Sequence, residues 1–138
     1  MKRLTLLSVM ALSVLVGSLT GCGAKKEPTI SGSIQIAPAL AKKFTDRAVL
    51  YVIARSEQSN APLAVLRLDH LSFPMNYELS KAHAMMPTVP FEGKVNLIAR
   101  ISQMGDATKH AGDLEGTCAK NPVTIGDKGV DLTIDKVL

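Results

Sequence analysis

The side chains whose chemistry could support a function are few: two cysteines, three histidines and six methionines. The stretch His83-Ala-Met85-Met86 is the local cluster with a metal-binding pattern. On an extended segment His83 and Met85 point to the same side, and imidazole with thioether is a soft ligand pair suited to Cu(I). Two ligands do not complete a site, and Ala61 stands where a His-x-Met copper site would need another methionine. The alternative is structural, with Met85 and Met86 filling the core or its rim.

Further metal ligands would have to come from distant parts of the chain. Whether they approach His83 depends on the tertiary structure, so the metal site is a hypothesis that rests on His83 and Met85. The other soft or imidazole side chains that could complete it are Met75, Met104, His110 and Cys118.

Cys22 has a different pattern around it, that of a lipid attachment site. Lys2 and Arg3 form a positive n-region, residues 4–16 an apolar h-region, and Leu19-Thr-Gly-Cys22 resembles a bacterial lipobox at the expected cleavage position. This pattern predicts a lipoprotein signal peptide over residues 1–21 and acylation of Cys22, for example with palmitate. Residues 22–29 then form a lipidated, flexible tether and residues 30–138 the folded domain. The alternatives are an uncleaved membrane anchor, for which the apolar run is short, and an ordinary signal peptide in which Cys22 occurs by chance.

Catalytic patterns are incomplete. Asp69-His70 with Ser72 offers an acid, a base and a nucleophile, but neighbours in a turn do not form a relay, because a triad is assembled across space. With Cys22 acylated, Cys118 is the one thiol left, so no Cys-x-x-Cys pair, intramolecular disulfide or covalent haem-attachment motif can form. We expect Cys118 to be inert or partly buried, with intermolecular pairing as the alternative. The sequence thus predicts no catalytic residues, no cofactor and no enzymatic activity.

Composition excludes a nucleic-acid partner. Of the 16 basic residues Lys2 and Arg3 lie in the predicted signal, which leaves 14 against 12 acidic residues. A nucleic-acid footprint needs a clustered basic face, and with 4% aromatic residues and no Trp there is no row of rings to stack bases.

The positioning elements are short strands separated by turns. Residues 48–55 form an eight-residue run that is apolar on both faces, and residues 95–102 nearly repeat it. We expect further strands at 30–37, 62–68, 73–79 and 130–138, with Pro74 confining its strand to a sheet edge. Residues 38–44 are predicted as a helical turn or loop and residues 108–121 as a long loop. The pattern predicts an all-β sandwich of about seven strands.

Several short motifs, in one order over residues 30–138, also resemble a known family. The family is the periplasmic, immunoglobulin-like C-terminal domain of the cytochrome c-type biogenesis protein CycH, in which a methionine often stands where this chain has His83. The resemblance implies an immunoglobulin-like fold; that family also has membrane helices and a helical-repeat domain, in whose place this sequence has a lipobox. The matching motifs are Pro62-Leu-Ala-Val-Leu-Arg67, Ala84-Met85 with Pro87, Ala99-Arg-Ile-Ser102 with Gly105, Gly112-Asp-Leu-Glu-Gly116, and Val130 with Ile134-Asp135.

Two classes of function follow from these observations. The first is a lipid-anchored protein-binding or assembly module whose partner, on the resemblance, is an apocytochrome c or a maturation component. The second is a periplasmic copper-handling protein that uses His83 and Met85. Both place the protein on the periplasmic side of the cell envelope, and Gly23, where an inner-membrane retention signal usually shows Asp, favours the outer membrane. The sequence does not identify the partner-binding residues.

Overall fold

The computed structural model describes residues 21, 23 and 25–138. The predicted lipidation site Cys22 and nearly all of the predicted signal peptide, residues 1–21, lie outside the described residues. Within the described part, no helix has the length and apolar character needed to cross a bilayer.

Among the described residues, nine strands form two facing sheets with a common hydrophobic core, which confirms the predicted all-β sandwich. The smaller sheet has the order β4-β1-β8, and the larger has the order β3-β2-β5-β6-β9 with β7 added to β5. The strands are β1 Ile30–Ile36, β2 Val49–Ser56, β3 Pro62–Leu68, β4 Met75–Leu79, β5 Lys94–Ser102, β6 Leu114–Thr117, β7 Val123–Thr124, β8 Leu132–Ile134 and β9 Lys136–Val137.

Strand β2 is buried on both faces, as its sequence predicts. Leu50, Val52 and Ala54 point into the main core, because alternate residues of a strand face opposite sides. On the outer face Val49, Tyr51 and Ile53 form a second cluster against side chains of β3 and β5. β2 lies between β3 and β5 and is antiparallel to both, so these three strands form the continuous part of the larger sheet.

The smaller sheet is built around β1. β1 pairs antiparallel with β4 and parallel with β8, so β4 lies at the edge of its sheet, where Pro74 was expected to confine it. The observed strand begins at Met75, after the proline.

Two predictions about the last third of the chain are wrong. Residues 108–121, predicted as a long loop, contain β6, in which Leu114 and Gly116 are buried. The predicted closing strand 130–138 is divided between the two sheets: β8 pairs with β1, whereas β9 pairs with β6. Asp135 lies exposed between them, where the chain passes from one sheet to the other.

Candidate functional site

The sandwich has two ends, and the chain enters at one of them. At the tether end β1 begins, Ser56 of β2 pairs with Val95 of β5, and β3 starts. At the far end Val49 pairs with Ser102, and the following turn carries Met104, which is 73% exposed. Residues 25–28 of the predicted tether line a groove of about 390 Å³ with Lys81 and with residues 90–92, so the tether lies against the tether end.

A loop at the tether end carries the methionines selected from the sequence. Residues 84–90, here called the methionine loop, follow a short 3₁₀ turn, Lys81–His83. Met85 is 56% exposed and Met86 55%, so their side chains do not fill the core; of the structural alternative, only a position at the rim of the core remains. Two adjacent exposed methionines form an apolar surface, and methionine side chains adapt readily to different partners.

His83 does not lie on the extended segment that the copper hypothesis assumed. It is the last residue of the 3₁₀ turn, and its Nδ1 accepts a hydrogen bond from the backbone N–H of Ser80 at 3.1 Å, as part of a capping box. A neutral ring that accepts at Nδ1 carries its proton on Nε2. Coordination through Nε2 would require the other tautomer, whose Nδ1–H would face the Ser80 N–H, so metal binding competes with this cap.

The methionine loop is attached to the edge of β3 through backbone contacts. Met85 donates its N–H to the carbonyl of Leu63 at 2.8 Å, and Ala84 forms an isolated antiparallel bridge with Ala64. Peptide groups point alternately to the two sides of a strand, so those of Val65 and Arg67 point to the same side as the Leu63 carbonyl, away from β2. No strand of the described chain pairs with β3 on that side, so the edge from Val65 to Leu68 is open.

The side chains around the open edge are partly charged and partly apolar. The Arg67 side chain is 54% exposed, and its Nη1 donates to Asp69 Oδ2 at 2.9 Å. Leu66 and Leu68 are half-buried against the core. At the foot of β3 a groove of about 460 Å³ combines apolar and charged side chains, and its lining includes Leu63, Val89, Pro90, Glu57, Glu92 and Lys94.

The other sequence candidates are not brought together. Cys118 is 4% exposed and forms an isolated bridge with Leu132, which agrees with the predicted buried thiol and leaves little access for intermolecular pairing. Asp69 accepts from Arg67, and His70 is exposed in a left-handed conformation at φ 56°. Within residues 25–138, no three His, Cys, Asp or Glu side chains form a group that could hold a metal ion.

Sequence reasoning did not identify the β3 edge as a site. Pro62 at the start of β3 was the available signal, since proline is confined to the first residue of a strand, to edges and to bulges. Whether the edge of a strand is open depends on which other segments pair with it, and the sequence of the strand does not show this.

Comparisons with known proteins agree with this architecture. The family described as "Cytochrome c-type biogenesis protein H Ig-like domain" matches residues 30–135. A protein of Aquifex aeolicus (strain VF5), described as an uncharacterized protein, is 34% identical over 88 residues. That match covers 64% of this chain and spans 57% of the length of the relative. No solved structure matches.

Proposed function

Since this chain belongs to the family of Ig-like domains of cytochrome c-type biogenesis protein H, we propose that it acts in cytochrome c maturation as a protein-binding module and not as an enzyme. The partner is an apocytochrome c or another maturation component. Cys22, acylated, holds the module on the periplasmic side of the envelope. Confinement at one membrane raises its effective concentration near partners in the same membrane.

The open edge of β3 is the observation that carries the binding proposal. An extended segment of a partner can continue the antiparallel pairing that Ala84 and Met85 begin, in the manner of β-strand addition. Beyond this bridge the carbonyl of Val65 and the N–H and carbonyl of Arg67 face the same side, and each hydrogen bond that they form contributes about 0.5 to 1.5 kcal/mol net. Such a sum supports weak, reversible binding.

The test replaces one backbone donor of this edge. In the full-length protein, Arg67→Pro removes an N–H that faces away from β2, so the β2 ladder is kept while an added strand loses a bond and meets the ring. Arg67→Ala is the matched control, because it removes the same guanidinium and keeps the N–H. The exposed pair with Asp69 contributes little to stability. In crosslinking pull-downs from membranes, we expect several-fold less capture of cytochrome-assembly proteins by Arg67→Pro and unchanged capture by Arg67→Ala.

Two results would count against this binding proposal. Equal loss in both variants would assign recognition to the side chain. Absence of cytochrome-assembly proteins above background, together with tight stoichiometric Cu(I) binding that disappears in His83→Ala, would favour the copper-handling function through His83 and Met85. Since coordination by His83 competes with the Ser80 cap, we expect weak Cu(I) binding that His83→Ala hardly changes.

Acylation of Cys22 is tested separately. Each buried methylene adds roughly 0.8 kcal/mol to membrane affinity, so two or three acyl chains hold the protein on a bilayer. Cells that make wild type or Cys22→Ala are grown with labelled palmitate and fractionated. We expect label and membrane association in wild type alone, with the outer membrane favoured by Gly23. Equal labelling of both proteins would contradict the anchor.

A further inference from the structure

The length of the tether limits how far the domain can stand from its anchor. Lys25 lines the groove at the tether end with Lys81 and Pro90. Three peptide units separate Lys25 from Cys22, and at 3.8 Å between consecutive Cα atoms they span at most about 11 Å. A bilayer that holds acyl chains on Cys22 therefore lies close to the tether end of the sandwich.

The side chains at that end suit a phospholipid surface. Met85 and Met86 are both more than half exposed, and Lys25, Lys26 and Lys81 line the neighbouring groove. Apolar side chains flanked by lysines are typical of segments that lie in the membrane interface, where the amines approach lipid phosphates. Two carboxylates, Glu27 and Glu92, also line the groove, so its net charge is small and the methionines must supply much of the attraction.

We propose that the tether end docks on the phospholipid bilayer, with the Met85 and Met86 side chains in the interface and Lys81 at the level of the phosphates. This inference rests on the acylation of Cys22 in the proposed function and adds an orientation to it. β3 runs from Pro62 at the tether end towards Leu68 at the far end. In this orientation the open edge of β3 extends away from the membrane surface, so a partner in the same membrane can approach it from the side.

Methionine oxidation reports this contact, and the chain contains its own reference. Met104, at the far end, is 73% exposed, and trypsin releases it on a peptide that does not contain Met85 and Met86. The purified full-length lipoprotein is inserted into vesicles of phosphatidylethanolamine and phosphatidylglycerol, treated with hydrogen peroxide and analysed by peptide mass spectrometry. Relative to unacylated Cys22→Ser protein in solution, we expect oxidation of Met85 and Met86 to slow several-fold and that of Met104 to stay unchanged.

A second measurement uses a variant in which the apolar contact is lost. An amine-acetylating reagent that cannot cross membranes compares Lys81 with Lys42, which lies at the far end beyond β1. On vesicles, Lys81 should be modified several-fold more slowly in wild type than in Met85→Gln/Met86→Gln, whereas Lys42 should react alike in both.

Each other outcome contradicts the docking inference. If acylated protein on vesicles oxidises Met85 and Met86 as fast as the solution form, the tether end does not touch the bilayer, although partner capture through β3 can stand. Protection that appears in native membranes but not in pure vesicles would assign the loop to a protein contact instead. A mass spectrum without acyl chains on Cys22 would remove the premise, and the pull-down would still judge the partner proposal.

Discussion

Tyr77 is a buried residue whose protonation depends on its surroundings. It is 4% exposed, and its hydroxyl donates to the carbonyl of Val130 at 2.7 Å. Burial raises the pKa of Tyr77 well above its ordinary value of 10.0, and electrostatic interactions with Cys118 and Asp131 act in the same direction. Val130 also lies next to Gly32 of β1, so this bond ties β4 to the turn before β8 across the smaller sheet.

The raised pKa makes stability depend on pH in the alkaline range. The folded state holds the Tyr77 proton more tightly than the unfolded state, so its contribution is complete below pH 10 and is lost as pH rises further. Tyr77→Phe lacks this titration and leaves the Val130 carbonyl without its donor, which costs about 1 to 3 kcal/mol at neutral pH. We therefore expect the difference in unfolding free energy between the two proteins to shrink above pH 10 in urea titrations. A constant difference across that range would contradict the assignment.

Between elements, the two sheets approach each other closely where β6 meets β8. Gly116 of β6 has no room for a side chain, because a Cβ would overlap the carbonyl of Thr133 in β8. The obstacle is backbone and not a flexible side chain, so it cannot move without displacing a strand. Two residues further on, Cys118 bridges Leu132, and the sandwich is closed along this side.

Gly116→Ala should therefore weaken the domain as a whole. Overpacking of this kind costs typically about 1 to 3 kcal/mol, and a fixed backbone obstacle places the change at the upper end. Thr117→Ala is the matched control, since Thr117 is exposed on the same strand. Urea unfolding should show a lower midpoint for Gly116→Ala and an unchanged one for Thr117→Ala. Equal midpoints would mean that β6 and β8 can separate without cost.

At the scale of the whole molecule, the core and the family match cover the same part of the chain. Fully buried side chains run from Ile30 to Ile134, and the match runs over residues 30–135. Just before the core, Thr29 is held by Lys128, whose Nζ lies 2.6 Å from Thr29 Oγ1. Burial thus begins at Thr29, one residue before the predicted boundary at residue 30, whereas residues 25–28 are exposed.

A chain that begins at Thr29 should fold without its anchor, because a domain of this size can bury enough apolar surface to be stable. We expect a β-type far-ultraviolet circular dichroism spectrum and a single melting transition. A chain that begins at Ser33 is the control, and it should melt earlier because it lacks Ile30, which is fully buried. Substantial helix or no transition in the Thr29 chain would contradict an independent domain.

The strands with a strong local pattern could be predicted from the sequence alone. β3 occupies the predicted residues 62–68, and β1, β2 and β5 end or begin within one residue of their predicted limits. Alternation of apolar and polar side chains, or an apolar run of strand length, is a local property, and burial of one or both faces follows directly from it. The family membership was likewise available from short motifs in a fixed order.

Other features were decided by tertiary contacts. β6 lies in a Gly- and Asp-rich stretch that does not predict a strand. Gly116 is needed there because a neighbouring backbone leaves no room for a side chain, and intrinsic strand propensity does not reflect such a contact. His83 is not in an extended conformation, because its ring caps a 3₁₀ turn. Met85 and Met86 lie outside the core because the methionine loop pairs with β3 through its backbone. The open edge of β3 and its position relative to the tether depend on which strands come together across the chain. A sequence encodes the preferences of each segment, whereas an edge exists only where the partner of a segment is absent.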